Sequence, residues 1–346
     1  MKLKLVLENG KEFVGEGYGE EKIGKVTFNT SMVGYQQIMY DKANFDDIVI
    51  MTYTLIGNYG INDFDYESDK VQIKGMIAKE FNAKPSNFRS KESIIDLFEK
   101  EHVTFMYDLD TRMITKEIRN NGEMLGIITP ISTSVETALE KIAKYKKPDI
   151  DLTIEKYSIE NKNAKRKIAC VDLGARRSIF SALANHYDVT VYPYDVKAKE
   201  LLKYDGIFMA GGPKIVDVDL VKELIGKKPI FTNGIATNVL VEALGGTNEA
   251  MKFGHRGGNH TIKYTDTLKN YVVSQNHFYR IKDLTNTNLE ILSKNLLDGE
   301  IEGVIDYKNL LLGILYNLDD EANPEDYNLL LERFNDFIDL GGKNNA

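Results

Sequence analysis

The turn Thr-Asn-Gly-Ile at residues 232–235 joins an apolar strand pattern to a helical pattern. Hydrolytic α/β enzymes carry their nucleophile at such a turn, because a sharp elbow exposes the side chain and brings backbone N–H groups close to it as an oxyanion hole. The residue at the apex here is Gly234, which has no side chain. For an isolated case, the default interpretation is a glycine that permits a positive φ in a tight turn.

Two other kinds of side chain could do chemistry. Cys170 is the single cysteine, which excludes an intrachain disulfide and a cysteine-based zinc site. It ends an apolar strand pattern, so we interpret it as an inert core residue, with a role as replacement nucleophile as the alternative. His255, His260 and His277 could indicate a metal site, but we interpret them as loop histidines with hydrogen-bond partners and predict no metal ion.

We find no pattern that predicts nucleotide chemistry. The run Gly-Glu-Gly-Tyr-Gly at residues 15–19 follows a predicted hairpin and precedes no amphipathic helix. We therefore interpret it as a turn at a strand edge rather than as a phosphate-binding loop. The pattern Gly-x-x-x-x-Gly-Lys-Ser/Thr does not occur. We expect no cofactor in this chain, so any ATP chemistry would have to lie on a partner.

The chain length, the net charge and the length of the apolar stretches exclude several classes of protein. The 346 residues suggest about two domains, and the net charge of −8 disfavours binding to a nucleic-acid backbone. The longest strongly apolar stretch, residues 310–316, is far shorter than the roughly 20 residues that span a bilayer. No signal-peptide pattern follows Lys2 and Lys4. We expect a cytoplasmic protein that binds neither nucleic acid nor a membrane.

Residues 1–147 are predicted to form an α+β domain that begins with a β-hairpin. Asp110 or Thr111 can cap one of its helices, and Thr133 with Glu136 matches the capping box of another. Strands followed by segregated helices are typical of α+β architecture.

Residues 148–166 are rich in Lys, Asp, Asn and Glu, as is typical of a linker between domains. Residues 167–346 then alternate short apolar strands, tight turns and helices. This alternation predicts an α/β domain with a mostly parallel, doubly wound sheet, whose ligand site lies beyond the carboxyl ends of the strands. The turn at Gly234 follows such an end.

Long strings of the sequence resemble the small subunit of carbamoyl phosphate synthetase. In the first domain they are FNTSMVGYQQIMYD (28–41), TYTLIGNYGIN (52–62), NFRS (87–90) and DLDTRMITKEIRNNG (108–122); in the second they are CVDLGARRSI (170–179), MKFGHRGGNH (251–260) and SQNH (274–277). Such long strings are far more specific than a short glycine motif. The resemblance implies that the second domain is similar to class I glutamine amidotransferases, whose Cys-His-Glu triad hydrolyses glutamine and sends ammonia to a large subunit.

The sequence departs from this family at the triad. Where the family has Gly-Ile-Cys-Leu-Gly-His-Gln, this chain has Thr-Asn-Gly-Ile-Ala-Thr-Asn, so Gly234 takes the position of the nucleophile. Where the family has Tyr-His-Pro-Glu-Ala, this chain has Tyr-Asn-Leu-Asp-Asp, so Asn317 takes the position of the general base and Asp319 that of the residue that orients it. The resemblance therefore implies a degenerate triad, because glycine offers no nucleophile and an amide cannot shuttle a proton at neutral pH.

Several positions that bind glutamine in the family are also altered. The family's Gly-Pro-Gly oxyanion loop has lysine at its third position here, and its Asn-His-Gly-Phe segment has phenylalanine at its third position. These two side chains are expected to crowd the pocket, because glycine usually marks a close approach of backbone and ligand. The family-equivalent binding positions are Ala43, Gly212, Lys214, Ile235, Asn238, Asn276, Phe278 and Tyr279.

The resemblance implies a small-subunit homologue that has lost glutaminase activity. It would act as a structural and allosteric subunit of an ammonia-dependent synthetase, with ATP and metal ions bound only by the large subunit. In the family the first domain forms much of the contact with that subunit. In this chain the first domain retains the strings that resemble the family. Two alternatives stay open: a stand-alone regulatory or small-molecule-binding pseudoenzyme, and a glutaminase that uses a different constellation. The product of the complex would feed either arginine or pyrimidine synthesis.

Overall fold

The computed structural model describes residues 1–319 and 323–344, and the chain divides into two compact units between Ile150 and Asp151. Residues 151–166, part of the segment predicted to be a linker, belong to the second unit, and Tyr157–Ile159 form a strand of its sheet. Among the residues described, none belongs to a helix that is long and apolar enough to cross a membrane.

The first unit is built around a closed β-barrel, with helices that connect or follow its strands. Its strands are β1 (Lys2–Leu7), β2 (Glu12–Tyr18), β3 (Lys22–Asn29), β4 (Asp47–Met51), β5 (Leu55–Ile56), β6 (Gly75–Ile77), β7 (Glu80–Phe81), β8 (Thr104–Tyr107) and β9 (Met124–Pro130). Its helices are α1 (Tyr35–Tyr40), α2 (Ile94–Lys100), α3 (Thr111–Asn121) and α4 (Val135–Lys144), with a 3₁₀ turn at Lys42–Asn44. The barrel order is β1-β2-β8-β6-β4-β3-β9, and β5 pairs with β7.

The helix starts follow local capping chemistry. Asp110 caps α3 as predicted, because its side chain accepts a hydrogen bond from an N–H in the first turn. The cap of α4 is Ser134 rather than the predicted Thr133. The Ser134 hydroxyl accepts from the Thr137 N–H at 3.1 Å, whereas the Thr133 hydroxyl lies 2.9 Å from the hydroxyl of Thr129. The capping-box prediction was thus one residue too early.

The glycine run at residues 15–19 is mostly strand, so the prediction of a strand-edge turn was wrong for all but its end. Residues up to Tyr18 belong to β2, where Gly15 lies opposite Leu3 of β1 and Gly17 opposite Met106 of β8. The run forms a strand because it has neighbours on both sides in the barrel.

The second unit is a doubly wound sheet extended by long antiparallel strands. Its strands are β10 (Tyr157–Ile159), β11 (Lys167–Asp172), β12 (Asp188–Pro193), β13 (Gly206–Ala210), β14 (Ile230–Asn233), β15 (Thr247–Tyr264), β16 (Asn270–Asp283), β17 (Glu290–Asn295), β18 (Ile301–Asp306) and β19 (Leu311–Ile314). Its helices are α5 (Arg177–Ala184), α6 (Ala198–Leu201), α7 (Val218–Leu224), α8 (Ile235–Ala243) and α9 (Pro324–Asn344). The sheet order is β10-β12-β11-β13-β14-β19-β18-β17-β15-β16.

The central strands of this sheet are parallel and buried on both faces. In β11, Ile168 and Cys170 pack into one hydrophobic cluster, while Ala169 and Val171 pack into another. Helices cover both faces, as near-continuous apolar strands require. The strands β12, β11, β13, β14 and β19 run in the same direction, so their carboxyl ends meet at one edge of the sheet.

Candidate active site

Gly234 forms a sharp elbow between β14 and α8, with φ 59° and ψ −131°. Residues with a side chain adopt this conformation only under strain, and hydrolases use such a strand-to-helix turn to present a nucleophile. Among the residues that the structure describes, the nearest atom to a Cβ built on Gly234 would be the Cα of Gly211 at 3.4 Å, an ordinary van der Waals contact. The elbow is therefore present, with room for a side chain and no nucleophile on it.

Asn317, which the resemblance puts at the position of the general base, lies one strand away from this elbow. β14 and β19 are parallel neighbours, and the Gly234 N–H donates to the carbonyl oxygen of Ile314 at 2.8 Å. Asn233 Nδ2 donates to the carbonyl oxygen of Tyr316 at 2.5 Å. Gly234 and Asn317 consequently follow neighbouring strands at the same edge of the sheet, which is where a nucleophile and its base would be needed.

Asn317 is bound to its surroundings through neutral hydrogen bonds. Its backbone N–H donates to the carbonyl oxygen of Ser274 at 2.9 Å, and its Nδ2 donates to the Ser274 hydroxyl at 3.2 Å. An amide has no proton that titrates near neutral pH, so it can neither deprotonate a thiol nor protonate leaving ammonia. Asp319, which takes the place of the orienting acid, is half-buried two residues further on.

Asn238 and Ile235 lie in α8, directly after the elbow. Asn238 is buried, and its Nδ2 donates to Oδ1 of Asn248 at 2.8 Å while Asn248 Nδ2 donates back to the Asn238 carbonyl oxygen at 2.8 Å. Asn238 stands where the family motif ends in Gln, and its side-chain amide is therefore held by a partner within the second unit. Ile235 is the first residue of the helix and is half-buried.

Gly212 and Lys214 follow β13, the other parallel neighbour of β14. A Cβ on Gly212 would lie 2.2 Å from the carbonyl oxygen of Leu173, so backbone packing alone requires glycine there. The ammonium of Lys214 lies 4.9 Å from the centre of the Tyr194 ring, a cation–π contact that anchors this side chain toward the end of β12.

The remaining predicted binding positions fall in two places. Asn276, Phe278 and Tyr279 lie in β16, where the two aromatic rings pack edge to face with their centres 5.6 Å apart. The segment belongs to β16, but its pairing with β15 is irregular, because the register shifts between the pairs Ala250–Tyr279 and His255–His277. Phe278 is half-buried and Tyr279 is exposed. Ala43 lies in the first unit, in the 3₁₀ turn Lys42–Asn44.

Cys170 is an interior residue of β11 and is fully buried in the core. Burial raises the pKa of its thiol, and the charge of Asp172 adds to the effect. A thiol that is buried and protonated cannot attack a substrate, which supports its interpretation as a core residue.

The predicted location of the histidines in loops was wrong. His255 and His260 lie in β15 and His277 lies in β16, directly opposite His255. Glu302 of β18 contacts both: its Oε1 lies 2.9 Å from His255 Nδ1 and its Oε2 lies 3.2 Å from His277 Nε2. Sequence reasoning missed Glu302, which stands in an ordinary strand pattern. The available signal was the pair of histidines within two strings that resemble the family.

Burial and neighbouring charges shift the pKa values of the groups in this cluster. Burial raises the pKa of Glu302, but the two histidines outweigh it and lower the pKa to about 2. Burial lowers the pKa of His255, but Glu302 and Asp298 outweigh it, so the net shift is upward. Burial, together with the charge of His255, lowers the pKa of His260 to about 4. Glu302 is therefore anionic and His260 neutral near pH 7.

Comparison with known families agrees with this architecture. The family model described as "Carbamoyl-phosphate synthase small chain, CPSase domain" matches residues 5–128, and the model described as "Glutamine amidotransferase class-I" matches residues 169–331. The carbamoyl phosphate synthase small chain of Clostridium perfringens is 35% identical over 347 residues, which cover 96% of this chain and 99% of the relative. This chain belongs to the carbamoyl phosphate synthase small-chain family.

A second relative fits the same assignment. The pyrimidine-specific small chain of Bacillus subtilis is 36% identical and covers 99% of this chain, with 98% of its own length included. Among solved structures, a glutamine amidotransferase from Thermotoga maritima matches 51% of this chain and 90% of its own, at 13% identity and a TM-score of 0.36. The small-chain family membership confirms the predicted resemblance and fold class.

Proposed function

We propose that this member of the small-chain family does not hydrolyse glutamine and serves as a structural and allosteric subunit of a synthetase that takes free ammonia. The observation that carries the proposal is Gly234 at the apex of the elbow. Hydrolysis through a thioester needs a sulfur nucleophile, and this apex has no side-chain atom. A hydrolase-type elbow without a nucleophile supports the loss of glutamine hydrolysis.

The expected loss of rate is large. Removing the nucleophile of a hydrolase that works through a covalent intermediate lowers turnover by about six orders of magnitude. Asn317 adds the loss of the general base, although residues that act as a unit contribute little more once one of them is absent. The single thiol, Cys170, is buried in the core and protonated, so it supports no replacement mechanism.

A small chain functions with a large one. The relatives are named as small chains of carbamoyl phosphate synthase, and we infer that this chain binds a large subunit. That subunit would hold ATP and its metal ions and would make carbamoyl phosphate from ammonia and bicarbonate. This chain would supply binding surface and conformational control.

We assign this contact to a cleft of about 1020 Å³ in the first unit. Three of the strings that resemble the family meet there: Thr30 comes from the first, Thr52 from the second, and α3 from the string at residues 108–122. Arg112 and Lys116 of α3 line the cleft and are exposed. Asp108 and Asp110 also line the cleft, but they are outnumbered by its cations, which are Lys79, Arg112, Lys116 and Arg119. This balance suits an acidic segment of the large subunit, because complementary charge guides docking.

The test is reconstitution. The full chain is mixed with the large subunit of the same organism, and the mixture is separated by size-exclusion chromatography. The complex is then supplied with ATP, bicarbonate and either ammonium chloride or ammonia-free glutamine. A synthetase with an intact Cys-His-Glu triad serves as the positive control for glutamine. We expect co-elution, and carbamoyl phosphate from ammonium only.

Two outcomes overturn different parts of this proposal. Separate elution of the two chains contradicts the subunit role and favours a stand-alone regulatory protein. Co-elution with synthesis from glutamine contradicts the loss of glutaminase activity and leaves the subunit role intact.

A further inference from the structure

His255, His277 and Glu302 are brought together by three strands of the second unit. His255 and His277 are directly opposite in the antiparallel pair β15 and β16, so their side chains lie on the same face of the sheet. Their exposed fractions are 6% and 9%, and that of Glu302 is 0%. One potential ligand atom from each residue lies within 4.8 Å of the other two.

The tautomer of His277 leaves a lone pair aimed at Glu302. His277 Nδ1 lies 3.1 Å from the carbonyl oxygen of Tyr279, and because a carbonyl only accepts, Nδ1 carries a proton. In the neutral ring Nε2 then has the lone pair. Nε2 lies 3.2 Å from Glu302 Oε2, and neither atom has a hydrogen-bond partner among the described residues. In a neutral ring two buried lone pairs face each other, a cost that either a second proton on the ring or a cation between the two atoms removes.

The distance between these two atoms is long for a charge-assisted hydrogen bond and close to the separation of two ligand atoms on one metal ion. A charge-assisted N–H···O bond is usually about 2.7–2.9 Å long. Zinc binds nitrogen and carboxylate oxygen at about 2.0–2.2 Å, so two ligand atoms in a tetrahedral site lie roughly 3.3 Å apart. The separation of His277 Nε2 from Glu302 Oε2, 3.2 Å, is close to that value.

His255 has a carboxylate against each ring nitrogen. Its Nδ1 lies 2.9 Å from Glu302 Oε1 and its Nε2 lies 2.7 Å from Asp298 Oδ2. Without a metal, the ring must carry two protons to satisfy both carboxylates. On binding a metal, Nδ1 would release its proton and become a ligand, while the Nε2–H continued to donate to Asp298. A carboxylate that holds the far nitrogen of a metal-bound histidine is the usual outer shell of such sites.

We propose that His255 Nδ1, His277 Nε2 and a carboxylate oxygen of Glu302 bind one divalent transition-metal ion of the zinc class. Two imidazoles and one carboxylate suit such ions and do not suit magnesium or calcium, which take oxygen ligands. The Asp298 carboxylate and the Tyr279 carbonyl fix the two histidine tautomers in the orientation that the metal needs. The ion joins β15, β16 and β18, so its role is to stabilise the second unit.

The test uses the full chain, stripped of metal with a chelator and titrated with ZnCl₂ against a chromophoric chelator of known affinity. We expect one zinc per chain and a rise in thermal unfolding temperature, because a ligand that binds only the folded state stabilises it. Magnesium should have neither effect. Glu302→Gln and His277→Ala should each abolish stoichiometric binding. His186→Gln, which changes an exposed histidine of the same unit, should leave it unchanged.

Because substitutions of the buried residues Glu302 and His277 could prevent folding, a variant at a more exposed position is also needed. Asp298 is 39% exposed and contacts only the outer side of the cluster, so Asp298→Asn should fold and bind zinc about 10–100-fold more weakly. Absence of stoichiometric binding by the wild-type chain overturns the proposal and leaves an imidazolium–carboxylate network in its place. Equal zinc affinity of the wild type and Asp298→Asn also overturns it, because the metal would then be bound elsewhere.

Discussion

Asn233 Nδ2 donates to the carbonyl oxygen of Tyr316 at 2.5 Å, which joins the residue before Gly234 to the residue before Asn317. The Gly234 N–H makes a second link to β19 through Ile314. Gly234 and Asn317, where the nucleophile and the base are expected, are therefore fixed to each other by the sheet, and neither has a reactive side chain. This preserved frame makes repair of the site a sharp test of how far it has changed.

Gly234→Cys alone should give no measurable glutaminase activity. The Cβ has room, but the strained backbone would cost about 1–3 kcal/mol of folding free energy. The new thiol, with an ordinary pKa of about 8.5, needs an adjacent imidazole to ionise it. Glutamate release and thioester trapping measure the result. Gly234→Ala is the matched control, since it adds the same Cβ without sulfur.

Recovery should require triad and pocket changes together. Adding Asn317→His and Asp319→Glu supplies the triad side chains, and adding Lys214→Gly and Phe278→Gly removes the two side chains that are expected to crowd the pocket. We expect activity only in the fivefold variant, because residues that act as a unit give almost nothing singly. Appreciable turnover by Gly234→Cys alone would show that the pocket is intact and that its altered positions do not matter.

Gly212→Ala should destabilise the second unit, because the added Cβ would lie 2.2 Å from the Leu173 carbonyl oxygen. Overpacking of this kind costs about 1–3 kcal/mol, and each kcal/mol lowers Tm by roughly 2–4 °C in a unit of this size. Gly342→Ala in α9, where no atom of the described part of the chain lies within 4 Å of the new Cβ, should be neutral or slightly stabilising. Equal Tm values for the two variants would refute the claim that packing retains Gly212.

Asp326→Asn should change how stability depends on pH. Burial raises the pKa of Asp326 to about 6, while the hydrogen bond from the Tyr264 hydroxyl, 2.7 Å long, opposes the shift. The folded chain therefore holds a proton that the unfolded chain has lost between about pH 4 and 6, so this group makes stability fall as pH rises through that window.

The asparagine variant lacks this titration. Between pH 4 and pH 7, the free energy of unfolding of the variant should rise by about 3 kcal/mol relative to that of the wild type. Urea unfolding at a series of pH values measures the difference, with Asp336→Asn on the exposed face of the same helix as control. Parallel curves for wild type and Asp326→Asn would contradict the assigned burial effect.

Charge reversal in the cleft of the first unit should weaken binding to the large subunit. Arg112→Glu with Lys116→Glu places two anions on the exposed face of α3, and we expect at least a tenfold higher Kd at low salt, with a smaller difference at high salt. Lys144→Glu with Lys146→Glu, two exposed lysines outside the cleft, is the control with equal net charge. Identical binding by the two variants would place the contact elsewhere on the chain.

Local patterns predicted much of the second unit. Apolar runs followed by tight turns identified β11, β13, β14 and α8, because burial on both faces leaves a near-continuous apolar strand. Asp110 was predictable as a cap since its partner lies within one helical turn. Ser134 was not, because Thr133 and Ser134 both suit a cap and the choice depends on a contact between Thr133 and Thr129.

The interactions that define the candidate sites could not be predicted in this way. The pairing of Asn238 with Asn248, and of Glu302 with the two histidines, depends on how strands align across the sheet. Strand register is a tertiary property, and a single sequence contains no direct signal for it. The elbow itself was predictable, whereas the hydrogen-bond partners of the side chains near it were not.

The most direct test of the central claim is glutamate release from radiolabelled glutamine by the full chain, measured alone and in complex with the large subunit, ATP and bicarbonate. We predict no more glutamate than a heat-inactivated sample gives, and no trapped thioester. Sustained release would contradict the account. Release that persisted in Cys170→Ser would indicate a different catalytic constellation, and release that disappeared in that variant would identify Cys170 as the nucleophile.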